Sequence, residues 1–151
     1  MNRTEITKSM IHSLEDFKAY NLSIELGEAV WSCVKRWDYF AKDTVGKQLI
    51  RSVDSIAANL SEGLGRYHFK DVKNFGYYSR GSLFETKTWL TKAKNRELIS
   101  DEEFRKLIAN LEVIGKMINS YINSIGGVNE PDLEYITTPS SNAQVLSPNP
   151  E

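Results

Sequence analysis

The sequence is poor in the residues that build disulfides, metal sites and membrane spans. Its single cysteine, Cys33, cannot form an intramolecular disulfide or a cysteine zinc site, and its two histidines, His12 and His68, show no metal-ligand spacing. No apolar run approaches the roughly 18 residues that a transmembrane helix requires, and the first residues lack the apolar core of a signal peptide. These absences predict a cytoplasmic protein without membrane contact, metal or cofactor.

Proline is absent from most of the chain. All four prolines fall near its end: Pro131, Pro139, Pro148 and Pro150. Before them, no residue has to break a helix through a missing N–H. The residues from Gly126 onward are rich in turn formers and lack hydrophobic periodicity, which is typical of a flexible tail. We therefore predict one helical domain over residues 13–125, between a flexible N-terminal segment (1–12) and a flexible tail (126–151).

Four segments carry apolar residues at helical spacing and are predicted as helices: 16–37, 44–66, 71–96 and 101–125. Asp43 or Thr44 is expected to cap the second helix, and Asp71 suits the start of the third. The fourth begins with a capping box, in which Ser100 and Glu103 each bond the other's backbone N–H. Because the connections are short, we expect an all-α, antiparallel, up-down four-helix bundle.

The first helix is apolar over more of its circumference than one bundle core needs. Its apolar residues fall on two sides, with Tyr20, Ile24, Trp31 and Val34 on one and Leu22, Leu26, Val30, Cys33 and Trp37 on the other. On the third helix, Tyr77 and Phe84 fall outside the predicted core face. Surfaces of this kind need cover, so we predict a homo-oligomer.

A polar stripe runs beside the apolar face of the second helix: Gln48, Arg51, Ser55, Asn59, Glu62 and Arg66. On the third helix, Arg80, Ser82 and Glu85 offer complementary groups for a polar network inside a helix–helix or subunit interface. Two other interpretations stay open. In the first, the stripe is a solvated helix flank with i,i+4 pairs such as Glu62 with Arg66. In the second, it is a ligand or catalytic site.

Catalysis finds little support in the sequence. Glu62 and Glu85 are candidates for a carboxylate pair in acid–base chemistry, but no histidine or cysteine nucleophile accompanies them. The glycines of residues 62–66, EGLGR, follow a helix rather than a strand, so they are not a dinucleotide-binding fingerprint. Cys33 lies among apolar residues, which predicts a core thiol. We predict that the chain is not an enzyme.

Charge is distributed unevenly along the chain. Residues 43–96 hold 10 Lys and Arg against 5 Asp and Glu, a net of +5, whereas the other residues hold 9 against 15, a net of −6. Helical spacing places two aromatic and two basic residues on one outer face of the third helix: Tyr77, Phe84, Arg80 and Lys87. Such a mixture is typical of nucleic-acid contacts, although burial of both rings against a neighbouring subunit is the alternative. The candidate phosphate contacts are Lys73, Arg80 and Lys87.

Three stretches carry a family resemblance: DFKAY at 16–20, QLIRSVDSIAANLSEGLGR at 48–66 and FGYYSRGSLFETKTWL at 75–90. Together they resemble the bacterial 23S ribosomal RNA intervening-sequence protein family, also called the four-helix-bundle protein family, over residues 14–125. Its signature falls on two groups of residues: Ser55, Ile56, Asn59, Glu62, Gly63, Gly65 and Arg66, then Arg80, Gly81, Ser82, Leu83 and Glu85.

The resemblance implies an antiparallel four-helix bundle that assembles into a homopentamer and has no established enzymatic activity. Many members of the family are encoded within 23S rRNA genes. A related branch, the accessory variability determinant of diversity-generating retroelements, forms a basic pentameric barrel that binds a reverse transcriptase and nucleic acid. We therefore predict a non-catalytic homo-oligomer associated with 23S rRNA or another nucleic acid through the basic middle hairpin. The alternative is a protein-binding scaffold or accessory subunit without nucleic-acid contact.

Overall fold

The computed structural model describes Ile11 and residues 13–125, which form four long α-helices and no strand. The helices are α1 (Lys18–Val34), α2 (Lys47–Leu64), α3 (Phe69–Asn95) and α4 (Asp101–Ser124). The all-α class predicted from the sequence is confirmed. The predictions for residues 1–12 and 126–151 fall, Ile11 aside, outside the described residues.

Each long helix packs against two others, since α1 and α3 both contact α2 and α4. One core lies between them, and its side chains with at most 2% exposure include Leu26, Val30, Leu49, Val53, Ile56, Leu60, Leu83, Leu90, Leu111 and Ile118. Burying each such side chain contributes about 1.5–3 kcal/mol before the entropic costs of folding. Within the described part of the chain, none of the helices is both long and apolar enough to cross a bilayer.

Helical structure begins ahead of α2, earlier than the sequence predicts. A three-residue α-helical turn, Tyr39–Ala41, continues through a π-helical turn, Lys42–Gly46, directly into α2. Asp38 caps this run, because its carboxylate accepts an N–H of the first turn at 2.9 Å. The predicted caps, Asp43 and Thr44, instead lie inside the π-helical turn.

The other helix ends follow local sequence signals more closely. At α4 the capping box is confirmed: Ser100 accepts the Glu103 N–H at 3.1 Å, and the Glu103 carboxylate accepts the Ser100 N–H at 3.0 Å. Helix α3 begins at Phe69, which places Asp71 in the first turn, where a carboxylate interacts favourably with the helix dipole. Its end is followed by Glu97, whose left-handed φ of 59° helps to reverse the chain towards α4.

Glycines allow α3 to lie close to both of its neighbours. A Cβ added to Gly63 of α2 would sit 2.6 Å from the Cβ of Phe75 in α3. A Cβ added to Gly76 of α3 would sit 2.8 Å from Cγ1 of Ile122 in α4. The end of α2 therefore lies beside the beginning of α3, and the end of α4 lies beside the same part of α3.

The burial of several aromatic and apolar side chains at the edge of the core differs from what the sequence predicts. Tyr77 and Phe84 are half-buried and pack against the core, so the prediction of an outer face is wrong for both. On α1, Ile24 is 43% exposed and Trp31 is 56% exposed. Part of the second apolar side of α1 therefore forms surface in the single chain.

Candidate functional site

The polar stripe of α2 bonds mainly within its own helix. Ser55 Oγ donates to the Arg51 carbonyl at 2.7 Å, and Asn59 Nδ2 donates to the Ser55 carbonyl at 2.8 Å. Glu62 and Arg66 form an i,i+4 ion pair at 2.7 Å, with both side chains about half exposed. A pair of this kind contributes only about 0.2–0.5 kcal/mol.

One contact joins this stripe to the matching residues of α3. Asn59 Nδ2 lies 3.5 Å from Ser82 Oγ, which is long for a hydrogen bond. Arg80 instead turns towards α4, where it donates to Asn119 Oδ1 at 3.3 Å. Its guanidinium also stacks on the ring of Tyr77, 4.7 Å from the centroid. The structure thus brings Asn59 and Ser82 together and leaves Arg80 in a different contact.

The two glutamates considered as an acid–base pair have separate partners. Glu62 pairs with Arg66 in α2, whereas Glu85 accepts a hydrogen bond from Trp89 Nε1 in α3 at 3.3 Å. Among the described residues, no group of three or more His, Cys, Asp or Glu side chains is placed to hold a metal ion.

Cys33 is half-buried against the core, and its sulfur lies 4.0 Å from Glu103 Oε1. Arg36 donates to the same carboxylate, and this hydrogen bond, together with that from the Ser100 N–H, holds the pKa of Glu103 below its ordinary range. The contacts of Cys33 and Arg36 with Glu103 therefore connect the end of α1 to the start of α4.

Hydroxyl groups buried between α2 and α3 form hydrogen bonds that helical periodicity alone does not predict. Thr86 Oγ1 lies 3.0 Å from Ser52 Oγ, and Ser79 Oγ donates to the Ile56 carbonyl at 2.8 Å. These three hydroxyl residues are at most 2% exposed. Each buried side-chain polar atom in the described chain has a hydrogen-bond partner. Because a buried polar group costs free energy unless it is paired, these bonds favour one register of α2 on α3. The sequence signal is small: hydroxyl residues at helical spacing within an otherwise apolar face.

The predicted phosphate contacts form one line along α3. Lys73, Arg80 and Lys87 are seven residues apart and half-buried. At 1.5 Å per residue the line is about 21 Å long. Tyr77 and Phe84 alternate with the three cations, and both pack against the core. We call these three basic residues the α3 cation line.

Arg51 belongs to a separate cleft of about 460 Å³ between α1 and the region that leads into α2. Its apolar lining includes Trp31, Val34 and Ile50. Its charged lining consists of four cations: Lys35, Lys42, Lys47 and Arg51. We call it the basic cleft.

An acidic cavity of about 320 Å³ lies further along the same two helices. Glu28 of α1 and Asp54 of α2 line it together with Tyr20, Ile24 and Ser61. Burial raises the pKa of the Asp54 carboxyl, and the negative charge of Glu28 raises it further. The groove between α1 and α2 therefore changes from basic to acidic along its length.

Asp54→Asn is expected to raise the thermal unfolding midpoint at neutral pH and to lose this advantage in acid. Because folding raises the pKa of Asp54, the native state carries the cost of its charged form at pH values above the raised pKa. Below the ordinary value of 3.8, the carboxyl is protonated in both the folded and the unfolded chain, so the cost disappears. Thermal unfolding at about pH 7 and about pH 3 measures the difference. An equal gain at both pH values would show that charge is not its cause.

The described residues define a four-helix protein whose distinctive surfaces are a line of cations and a basic cleft. Residues 15–120 match the family described as 23S rRNA-intervening sequence protein. The chain belongs to this family, as its sequence motifs predict. The description names no catalytic activity.

A solved structure shows the same fold. It is a protein of unknown function from the S23 ribosomal protein family of Bacteroides thetaiotaomicron VPI-5482. The TM-score is 0.63 and the sequence identity 24%, and the match covers 69% of this chain and 97% of that one. No curated protein matches the chain.

Proposed function

We propose that this protein is a non-catalytic homo-oligomer that binds RNA through phosphate contacts on α3. The observation that carries the proposal is the concentration of positive charge in residues 43–96, with a net of +5 against −6 elsewhere. The α3 cation line belongs to this hairpin. Membership of a family whose description refers to 23S rRNA supports RNA as the ligand.

The α3 cation line suits phosphates better than bases. Arg80 is held by Asn119 and by the Tyr77 ring, which reduces the entropy that it would lose on binding. Tyr77 and Phe84 pack against the core and therefore offer less ring surface for stacking. Contacts to phosphate fix the position of RNA and carry no sequence information, so we expect binding with little sequence preference.

The fold that presents this line is, we propose, an antiparallel up-down bundle. Ser52 contacts Thr86, and Gly63 lies against Phe75, so residue numbers rise along α2 as they fall along α3. The connections of residues 65–68 and 96–100 are short, which favours opposite directions for consecutive helices.

Assembly into a homo-oligomer, a pentamer by the family resemblance, is the second part of the proposal. Large apolar side chains that the single chain leaves exposed support it: Ile24, Tyr39, Phe40 and Val113. Several cation lines on one particle would bind one RNA by avidity.

Sedimentation equilibrium at micromolar concentration tests the assembly. Five copies of 17.2 kDa predict a mass of about 86 kDa. A mass near 17.2 kDa would contradict association, whereas another multiple would keep the oligomer and exclude the pentamer.

RNA binding is tested by filter-binding titrations of a structured RNA at several salt concentrations. The triple variant Lys73→Ala/Arg80→Ala/Lys87→Ala should bind more weakly than the native chain. Its plot of log affinity against log salt should also be less steep, by about 2–3, since each lost phosphate contact removes about 0.7–0.9 from the slope.

A matched control variant distinguishes the effect of the α3 cation line from the effect of net charge. Lys18→Ala/Arg105→Ala/Lys116→Ala removes the same charge from exposed positions outside the basic hairpin and should change the slope much less. Equal effects of the two triple variants would exclude the α3 cation line as the site. Absence of binding by the native chain at low salt would favour the protein-binding scaffold.

A further inference from the structure

The connection from α2 to α3 carries aromatic rings and cations side by side on the surface. All six residues of 65–70, GRYHFK, are exposed. Tyr67 is 86% exposed, the highest value of any large hydrophobic side chain in the described chain, and Phe69 is 43% exposed. The rings of Tyr67 and His68 meet edge to face, with centroids 5.0 Å apart. We call these residues the 65–70 segment.

Positive charge surrounds these rings. Residues 65–73 contain three Lys or Arg and one acidic residue. Arg66 pairs with Glu62 at 2.7 Å. Lys70 and Lys73 form no ion pair with another described residue. A phosphate that approaches the segment therefore meets two available cations within one turn of α3.

The segment extends the α3 cation line beyond its first member, Lys73. Phe69 and Lys70 precede Lys73 by four and three residues, the spacings at which side chains are neighbours on a helix. Phe69 is about 6 Å from Lys73 along the helix axis at 1.5 Å per residue. Tyr67 is two residues further on, at most about 7 Å from Phe69. An RNA strand that follows the line past Lys73 therefore comes within reach of both rings.

Exposed ring surface is what the rest of the line lacks. Tyr77 and Phe84 are half-buried against the core, and the Arg80 guanidinium already stacks on the Tyr77 ring. Tyr67, by contrast, keeps most of its ring in water. Unpaired bases can stack on such a ring, whereas the bases of a duplex are already stacked on each other.

We propose that the 65–70 segment binds unpaired bases of RNA, with Tyr67 as the stacking residue. Lys70 and Lys73 contact the phosphates beside the stacked base. The inference rests on the proposed function, because phosphate contacts along the α3 cation line bring the strand to the segment. It adds contacts that only unpaired RNA can make. Stacking accepts every base, so the selectivity is for RNA structure and not for sequence.

Fluorescence anisotropy of a labelled oligouridylate, titrated with the full-length chain, tests the stacking. A probe of about eight nucleotides lies within the length that one single-strand-binding domain covers. Tyr67→Ala should weaken its binding about 5- to 150-fold, the contribution of stacking one base on one ring. The factor should be the same at low and high salt, because the substitution removes no phosphate contact. This constant factor differs from the reduced salt slope expected of the α3 triple variant.

Two further probes distinguish contacts to bases from contacts to phosphates. An abasic ribose-phosphate oligomer of the same length keeps the charge and offers no base. A fully paired RNA duplex keeps its bases inside the stack. Tyr67→Ala should leave the affinity for both probes unchanged.

Matched variants assign the effect to the ring of Tyr67. Tyr67→Phe keeps the ring and should keep the native affinity, whereas Tyr67→Leu keeps apolar bulk and should lose it. Tyr39, 81% exposed, precedes α2 and is separated from Tyr67 by the length of that helix, about 27 Å. Tyr39→Ala should therefore bind the short probe like the native chain. Because Tyr67 lies mostly in water, the urea unfolding midpoint of Tyr67→Ala should equal that of the native chain.

The outcomes separate this inference from the proposed function. Equal affinity of the native chain and Tyr67→Ala for oligouridylate would overturn the stacking and leave phosphate binding by the α3 cation line intact. Equal losses for oligouridylate and the abasic strand, or equal losses in Tyr67→Ala and Tyr39→Ala, would also overturn it. A loss in Tyr67→Phe as large as that in Tyr67→Ala would assign the effect to the hydroxyl and contradict stacking. No binding of either strand by the native chain at low salt would overturn both the inference and the proposed function.

Discussion

Gly63→Ala is expected to destabilise the fold by about 1–3 kcal/mol, whereas Gly81→Ala is expected to stabilise it by about 0.5–1 kcal/mol. Both glycines lie in helices and in the family signature, but their surroundings differ. A Cβ on Gly63 would lie 2.6 Å from the Cβ of Phe75 and 3.3 Å from the Val72 carbonyl oxygen, so α2 and α3 would have to move apart. Nothing lies within 4 Å of a Cβ on Gly81, so alanine there gains helix propensity without a clash.

Urea unfolding of the two alanine variants beside the native chain measures this pair of effects. Opposite signs are the expected result, because the two substitutions add the same methyl group in different surroundings. A stabilising Gly63→Ala would show that α2 and α3 do not need their close approach.

Leu83→Ala is expected to cost about 2–5 kcal/mol, the range for truncating a fully buried leucine or isoleucine. Leu83 is 1% exposed in the core between the helices, so its removal takes away apolar contacts and leaves a cavity. Tyr78→Ala provides the control on the same helix. Tyr78 is 56% exposed, and its ring contacts Phe75 edge-on with centroids 5.3 Å apart.

The free energy of unfolding of both variants decides whether signature residues belong to the core. For Tyr78→Ala we expect a loss below about 1 kcal/mol, since most of the ring is in water. If both truncations had the same small effect, Leu83 would not hold the helices together.

Local signals made much of the fold predictable from the sequence. Apolar residues at helical spacing predicted four helices, and the capping box predicted the start of α4 from Ser100 and Glu103 alone. The N-cap at Asp38 was harder to see, because the next residues are two aromatics that the wider pattern placed in a loop. The π-helical turn that follows has no periodic signature, since its hydrogen bonds depend on how the turn packs.

Contacts between helices were less predictable, because they depend on register and on depth of packing. The bond between Ser52 and Thr86 exists only in one alignment of α2 with α3. Helical spacing assigned Tyr77 to an outer face, yet small residues such as Gly76 and Ser79 let α3 pack so closely that its flanks also touch the core. For the same reason, the sequence could not show that Arg80 turns towards Asn119 on α4.

The packing of α2 against α3 at Gly63 and RNA binding by the α3 cation line should be separable properties of this protein. The most direct test measures both the free energy of unfolding and the RNA affinity of two variants, Gly63→Ala and Lys73→Ala/Arg80→Ala/Lys87→Ala. We expect the glycine variant to lose stability and, at a temperature where it is folded, to bind RNA like the native chain. We expect the triple variant to lose RNA affinity with a stability change of at most about 3 kcal/mol, because Arg80 loses one hydrogen bond from its charged guanidinium to Asn119. An unchanged RNA affinity in the triple variant, or a comparable loss of affinity in the folded glycine variant, would contradict this separation.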